Sequence, residues 1–196
     1  MYFRKMTGKK CYLSPIDVND VEKFTEWLND LEVTEYLTLY PQIINLENEK
    51  DFLLKLSKEH TYSIVDNDSN KLIGNCGFVS LDHLNQTAEV GIFIGDKKLW
   101  SNGYGTEALS LLLDYGFKAL NLHNVSLRVY SFNERAQKCY DKIGFKTIGR
   151  KREALLRGNE RHDIILMDIL RNEFYAKYRH ANHKLEDGIE CLELNT

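Results

Sequence analysis

The sequence predicts an α/β domain with a mixed, largely antiparallel sheet of about seven strands and with helices on both faces. Early strands are spaced as a hairpin, a strand–helix–strand unit follows in the middle, and the last two strands form a closing hairpin. The chain has 196 residues, of which 43% are hydrophobic, which suits one domain with one core. Residues 1–170 are expected to form that domain, and residues 171–196 a polar tail whose first half could be helical.

Helical spacing, capping residues and turn formers define the first half of the chain. Asp17 can cap the first helix, and the third helix has Phe52, Leu53 and Leu56 at helical spacing. The run at residues 66–70 is rich in turn formers and separates two strands. The predicted elements here are strands at residues 9–13, 61–65 and 71–80, and helices at residues 18–28, 31–37 and 47–60.

The second half contains the longest predicted helix. That helix has an apolar stripe that runs from Leu109 to Leu120, and the next helix begins after Asn133, a good N-cap residue. The turn Arg157-Gly158-Asn159 joins the strands of the closing hairpin. The predicted elements here are strands at residues 87–95, 124–130, 145–156 and 160–170, and helices at residues 102–120 and 133–143.

Composition and charge exclude several classes of protein. The net charge of −3 gives no electrostatic footprint for nucleic acid. No apolar run approaches the roughly 20 residues that span a bilayer, and no signal-peptide stretch follows the N-terminus. The four cysteines are far apart, without a Cys-x-x-Cys pair, so that reduced thiols in a cytoplasm are expected and no metal site is predicted.

A glycine turn precedes the longest helix. The turn contains Gly103 and Gly105, which can take positive φ and leave the backbone open to a ligand. A strand followed by Gly-x-Gly at a helix N-terminus directs backbone N–H groups and the positive end of the helix dipole at one spot, which suits a phosphate. The alternative is a tight turn that binds nothing. Neither a P-loop ending nor the third glycine of a dinucleotide fingerprint is present.

The helix after Asn133 contains a tyrosine and a cysteine side by side. Gly144 is a natural C-terminal residue for this helix, and Phe145 would then pack back near Tyr140, so that Tyr140 could be a core aromatic. Cys139 has no His–Asp or His–Asn arrangement beside it, and a buried helix cysteine is favoured over a nucleophile.

These segments follow one another in a specific order. The strand Ala88-Glu89-Val90-Gly91-Ile92-Phe93-Ile94 precedes the turn Trp100-Ser101-Asn102-Gly103-Tyr104-Gly105, and the pattern Asn133-Glu134-Arg135-Ala136, Tyr140 and Gly144-Phe145 comes last. Together they resemble the GNAT superfamily of acetyl-CoA-dependent N-acetyltransferases, and in particular its ribosomal-protein N-terminal and spermidine acetyltransferase branch. The resemblance covers about residues 9–170. The family turn usually opens with Gln or Arg, and Trp100 departs from that pattern.

The resemblance implies acetyl-CoA as donor and direct attack of an amine on its thioester. Glu89 matches the general base, acting through water, and Tyr140 matches the acid that protonates the departing thiolate. A backbone N–H around Phe93 or Ile94 would stabilise the oxyanion. The implied cofactor-binding residues are Ile92, Phe93 and Ile94 for the pantetheine, Trp100, Ser101, Asn102, Gly103, Tyr104, Gly105 and Thr106 for the pyrophosphate turn, and Asn133 and Ala136 on the second helix. The alternative for Glu89 is an ordinary solvent-facing carboxylate.

The acceptor is less defined than the donor. Carboxylates at Glu32 and Glu35, with Tyr36, could hold a polyamine or a peptide N-terminus, or could be a solvated helix connection. The expected partners are a small-molecule amine or a peptide N-terminus, with no nucleic acid and no membrane, and a homodimer is an arrangement that the family allows. The competing function is an acyl-CoA-binding regulatory module without catalysis.

Overall fold

The three-dimensional structure is a computed structural model that describes residues 1–177. Over that range the chain forms strands β1 (Met6–Thr7), β2 (Cys11–Pro15), β3 (Thr61–Asp66), β4 (Leu72–Asp82), β5 (Thr87–Ile94), β6 (Asn124–Tyr130), β7 (Lys146–Arg157) and β8 (Glu160–Leu170). The α-helices are α1 (Val21–Leu28), α2 (Leu31–Thr34), α3 (Leu46–Leu56), α4 (Tyr104–Ala119) and α5 (Glu134–Ile143), and residues 171–177 are also helical.

All eight strands formed by residues 1–177 belong to one sheet, in the order β1-β2-β3-β4-β5-β6-β8-β7. Every neighbouring pair is antiparallel except β5 and β6, which run parallel. The predicted mixed, largely antiparallel sheet is therefore confirmed. The strand beyond the expected seven is β1, which pairs Met6 with Leu13 and Thr7 with Tyr12 and is too short to show a period of two in the sequence.

Helices cover both faces of the sheet, as predicted. The larger core lies under α4 and α5, where Leu109, Leu112 and Phe117 are almost completely buried. The second core lies under α1 and α3, where Phe24, Trp27 and Leu53 pack together. Phe93 of β5 packs against the second core while its neighbours Ile92 and Ile94 pack against the first, which is the alternation expected of a strand with both faces covered.

Several predicted boundaries are corrected by the structure. The strand predicted at residues 9–13 begins only at Cys11, because the N–H groups of Lys9, Lys10 and Cys11 all bind the Glu107 carboxylate at 2.7–2.9 Å. The helix predicted at residues 47–60 ends at Leu56 and leaves Phe52 46% exposed. The long helix begins at Tyr104 rather than at residue 102, since Gly103 is its left-handed N-cap.

A gap in the sheet positions the site. The parallel strands β5 and β6 pair only over residues 87–89 and 124–126. Beyond Glu89 the two strands diverge, while β5 stays paired to β4 and β6 stays paired to β8. The C-terminal parts of β5 and β6 therefore have a free edge facing each other, and the N-termini of α4 and α5 lie at this opening.

The described part of the tail, residues 171–177, continues into a helix, and the rest of the tail lies outside the described residues. Cys11, Cys76 and Cys139 are free thiols, and Cys191 also lies outside that range. No helix within residues 1–177 has the length and apolar character needed to cross a bilayer.

Candidate active site

The divergence of β5 and β6 opens a groove of about 860 Å³. Its walls are the free edges of the two strands, the glycine turn and first turn of α4, the first two turns of α5, and the segment that follows α2. The groove brings together most of the residues predicted from the sequence, namely Glu89, Ile92, Phe93, Ile94, Trp100, Ser101, Gly103, Tyr104, Gly105, Thr106, Asn133, Ala136, Tyr140 and Tyr36.

The glycine turn exposes a set of backbone N–H groups at one end of the groove. Gly103 has φ 86° and Ser101 has φ 62°, whereas Gly105 lies inside the first turn of α4 and needs no positive φ. The first intrahelical acceptor is the Gly103 carbonyl, which binds the N–H of Glu107, so that the N–H groups before Glu107 have no partner within the helix. A Cβ on Gly105 would have its nearest neighbours, Cys139 Sγ and Ile92 Cδ1, at 4.0 Å. A methyl group would therefore be accommodated in ordinary contact with these two groove-lining side chains, beside N–H groups that have no partner within the helix.

A second helix N-terminus lies in the same groove. Asn133 caps α5 as predicted, because its Oδ1 accepts the N–H of Ala136 at 3.1 Å. This bond leaves the Asn133 side-chain NH₂ without a protein partner within residues 1–177, although the residue is only 8% exposed. Two positive helix ends and an unpaired amide donor make this part of the groove suited to an anionic, hydrogen-bond-accepting ligand.

Tyr140 lies on the wall of the groove with most of its ring buried. The ring contacts Phe145 edge to face at 5.9 Å, and the N–H groups of Gly144 and Phe145 both bind the Tyr140 carbonyl, which is the predicted C-terminal packing. Burial, and to a smaller extent Cys139, raises the pKa of Tyr140 above its ordinary value. The raised pKa keeps the Tyr140 hydroxyl protonated at neutral pH, and none of the described residues hydrogen-bonds it.

Cys139 is half-buried on the groove wall rather than fully buried as predicted, and its surroundings do not favour a nucleophile. Its Sγ lies 3.2 Å from the hydroxyl of Thr106, and burial raises its pKa above the ordinary value. A raised pKa keeps the sulfur protonated near neutral pH, where a thiol nucleophile would need to ionise.

The free edge of β5 presents specific backbone groups. The Gly95 N–H binds the carbonyl of Ile73 on the β4 side at 2.8 Å. Since successive residues of a strand direct their N–H groups to opposite edges, the N–H groups of Ile92 and Ile94 face the gap and that of Phe93 faces β4. The carbonyl of Ile94 is occupied by the Trp100 indole N–H at 2.7 Å. The Ile94 N–H, rather than that of Phe93, is thus the donor available to a ligand.

Glu89 marks the point where the two strands separate. Its Oε1 accepts both Nε and Nη2 of Arg128 on β6 at 2.7 Å. The carboxylate is 28% exposed, and its Oε2 is left free of protein partners among residues 1–177. Glu89 is therefore an oriented carboxylate on the groove wall, with one oxygen open to solvent.

Trp100 supports a guanidinium in the groove. The carbon centre of the Arg135 guanidinium lies 3.8 Å from the Trp100 ring centroid and 5.1 Å from that of Tyr36. Partial burial lowers the pKa of Arg135 below its usual range. Trp100, which departs from the sequence pattern of the turn, therefore makes two contacts. Its indole N–H binds the Ile94 carbonyl at the edge of β5, and its ring face packs against the Arg135 guanidinium.

Three predicted residues do not line the groove. Asn102 is exposed and its side chain binds the Lys98 carbonyl at 3.1 Å. Glu32 is held by Lys97 at 2.7 Å, outside the groove, and Glu35 is exposed to solvent. The first two helices therefore contribute to the groove through Tyr36 and its apolar neighbours, not through these carboxylates.

Sequence reasoning missed four basic residues that line the groove. Arg128 lies on β6, and the others are Arg135, Lys138 and Lys142 on α5. The signal for the α5 residues is visible in the sequence, because they recur at i, i+3 and i+7 on one helical stripe. Within residues 1–177 no group of three His, Cys, Asp or Glu side chains is arranged to hold a metal ion.

Comparisons with known proteins agree with this geometry. The acetyltransferase (GNAT) domain family matches residues 10–146. The chain is 26% identical over 185 residues to an uncharacterised N-acetyltransferase, p20, from Bacillus licheniformis, covering 89% of this chain and 97% of that protein. It is 27% identical over 169 residues to spermidine N(1)-acetyltransferase from Escherichia coli (strain K12), covering 85% of this chain and 89% of the other.

A solved structure has the same fold. Spermidine N-acetyltransferase from Vibrio cholerae, in complex with CoA and spermine, superposes with a TM-score of 0.76 at 22% sequence identity. The match covers 86% of this chain and 99% of that one. The likeness therefore extends over nearly the whole described fold.

Proposed function

This chain belongs to the GNAT acetyltransferase family and is an acyl-CoA-dependent N-acetyltransferase, and we propose that it transfers the acetyl group of acetyl-CoA to a primary amine by direct attack. The acceptor is a small amine or a peptide N-terminus. Spermidine acetyltransferases among the similar proteins support an amine acceptor but do not identify it.

The donor binds along the gap between β5 and β6. The N–H groups of Gly103 to Thr106 and the positive end of α4 hold the pyrophosphate. The pantetheine arm pairs with the free β5 edge at Ile92 and Ile94, as an added strand would, and accepts a bond from the Asn133 amide. Lys138 and Lys142 add positive charge along this path.

The chemistry follows from the groups near the point where the strands separate. Glu89, through water, takes a proton from the alkylammonium, and the neutral amine attacks the thioester carbon. The Ile94 N–H stabilises the oxyanion of the tetrahedral intermediate. As the C–S bond breaks, Tyr140 donates its proton to the sulfur, and its raised pKa keeps that proton in place until then.

The observation that carries the proposal is the alignment of three features on one groove: a bare helix N-terminus, a free strand edge and a protonated, unpartnered tyrosine hydroxyl. A module that only bound acyl-CoA would need the first two features but not the third.

The test is Tyr140→Phe. We expect kcat for thiol release to fall by about 10²-fold or more, the usual contribution of a general acid, with little change in CoA affinity. Because the hydroxyl has no described hydrogen-bond partner, the free energy of unfolding should change by less than about 0.5 kcal/mol. Tyr175→Phe, which removes a hydroxyl bound to Asp114 at 3.2 Å, is the matched control and should leave kcat unchanged. Unchanged kcat with lower stability in Tyr140→Phe would show that Tyr140 only packs.

A further inference from the structure

Both carboxylates that line the groove within residues 1–177, Glu89 and Glu134, have a cationic partner, whereas Glu35 is exposed to solvent and does not line it. Asp30 and Glu32 share Lys97, each at 2.7 Å. Of the groove-lining residues, Glu89 is bound by Arg128, and Glu134 lies 3.6 Å from Lys138. A second ammonium on the acceptor would therefore meet carboxylates that already have a cation.

The wall at this end is apolar and aromatic. It is formed by Val33, Tyr36, Leu37, Thr38, Tyr130 and Ile164. The ring of Phe132 supports the wall from behind, with centroids 5.8 Å from Tyr36 and 5.7 Å from Tyr130. Such a surface gains free energy by covering an apolar or aromatic group.

Guanidinium groups already lie over three of the aromatic rings at this end of the groove. Arg135 lies over Trp100 and Tyr36, and Arg157 lies 5.2 Å from the centroid of Tyr130. Arg157 also donates to the carbonyl of Leu37 at 2.7 Å, which fixes it in place. These guanidiniums occupy the aromatic faces and repel a further positive charge.

We infer that the acceptor is a primary amine attached to an apolar or aromatic group and carrying no second cation, so that a polyamine is a poor substrate. This inference rests on the proposed function and names the substrate class of the same site. It separates this chain from the spermidine acetyltransferases to which it is similar, because an unpaired carboxylate in the groove is what a second ammonium would require.

The test compares acceptors that differ by one charge. Thiol release from acetyl-CoA is measured with hexylamine and with 1,6-diaminohexane, which has the same six carbons and carries an additional ammonium on the terminal one. Spermidine and 3-phenylpropylamine are measured in the same way. We expect kcat/KM for hexylamine and 3-phenylpropylamine to exceed that for either polycation by about tenfold or more, although the diamine has two reactive ends. Amidated dipeptides Phe-Ala and Lys-Ala are assayed in parallel. They show whether the acceptor amine belongs to a peptide N-terminus or to a small molecule.

The variant Thr38→Glu adds a carboxylate to the apolar wall of the groove. Thr38 is exposed and lines the groove, so Thr38→Glu should fold and should narrow the preference for hexylamine over the diamine by about two- to fivefold. Thr38→Gln is the control of equal size and should leave the preference unchanged. A wild-type preference for 1,6-diaminohexane or spermidine would overturn the inference and leave the proposed function standing. If acetyl-CoA bound but no amine raised thiol release, the proposed function itself would fail.

Discussion

Replacing Gly105 by alanine should change stability and donor affinity in opposite directions. Gly105 lies in the first turn of α4 and has no positive φ, and a Cβ there would meet nothing closer than 4.0 Å. The added methyl group therefore causes no clash within the chain. Since alanine restricts the unfolded chain and favours the helix, the free energy of unfolding should rise by about 0.4–1 kcal/mol.

The same methyl group would lie against Cys139 and Ile92 on the groove wall, in the turn whose N–H groups are proposed to hold the pyrophosphate. Losing one charge-assisted hydrogen bond costs about 1.5–3 kcal/mol, which corresponds to a loss of CoA affinity of about 10- to 100-fold. Urea unfolding measures the first effect and calorimetric titration with CoA the second. Gly149→Ala on β7 is a control outside the groove, where a Cβ would have ordinary contact with Leu166 at 3.6 Å. Unchanged or tighter CoA binding in Gly105→Ala would refute the assignment of this turn to the phosphates.

Two further changes test groups outside the reaction centre. Glu49 is 3% exposed and no described residue hydrogen-bonds its carboxylate. Burial raises the pKa of this carboxyl from 4.5 to about 7, so that the folded state loses stability as the pH rises from 4.5 to 7. Glu49→Gln should then unfold like the wild type at pH 4 and be more stable at pH 8 by about 1–3 kcal/mol, and equal stability at both pH values in thermal unfolding would contradict this. Arg157→Ala removes the bonds to the carbonyls of Glu35 and Leu37, and should raise the KM for the amine about tenfold with an unchanged Kd for CoA. Equal changes in KM and Kd would mean that Arg157 supports the whole groove.

Local patterns were sufficient to predict the elements that form the proposed donor half of the groove. The cap at Asn133, the Gly144 end of α5 and the strand before the glycine turn each depend on neighbours in the sequence, and all of them lie as predicted. The predicted start of α4 at residue 102 is two residues early, because the left-handed Gly103 is the N-cap of this helix.

The acceptor half depends on contacts between distant residues. The bond from Arg157 to Leu37 spans 120 residues, and the pairing of Lys97 with Glu32 spans 65. No pattern in the sequence indicates that Lys97 pairs with Glu32, one of the two carboxylates predicted to bind an amine. Likewise, only the parallel register of β5 and β6 brings Arg128 to Glu89.

The short parallel pairing of β5 with β6 has a mechanical consequence. The sheet consists of two antiparallel blocks, β1–β5 and β6–β8, whose strands are joined over three residue pairs at one end. A ligand that hydrogen-bonds along the open edge replaces the absent inter-strand hydrogen bonds and stabilises the association of the two blocks. Amide hydrogen exchange in β5 and β6 should therefore slow down together when CoA binds. The exchange rates then report both that the groove is occupied and that the two parts of the sheet are held together.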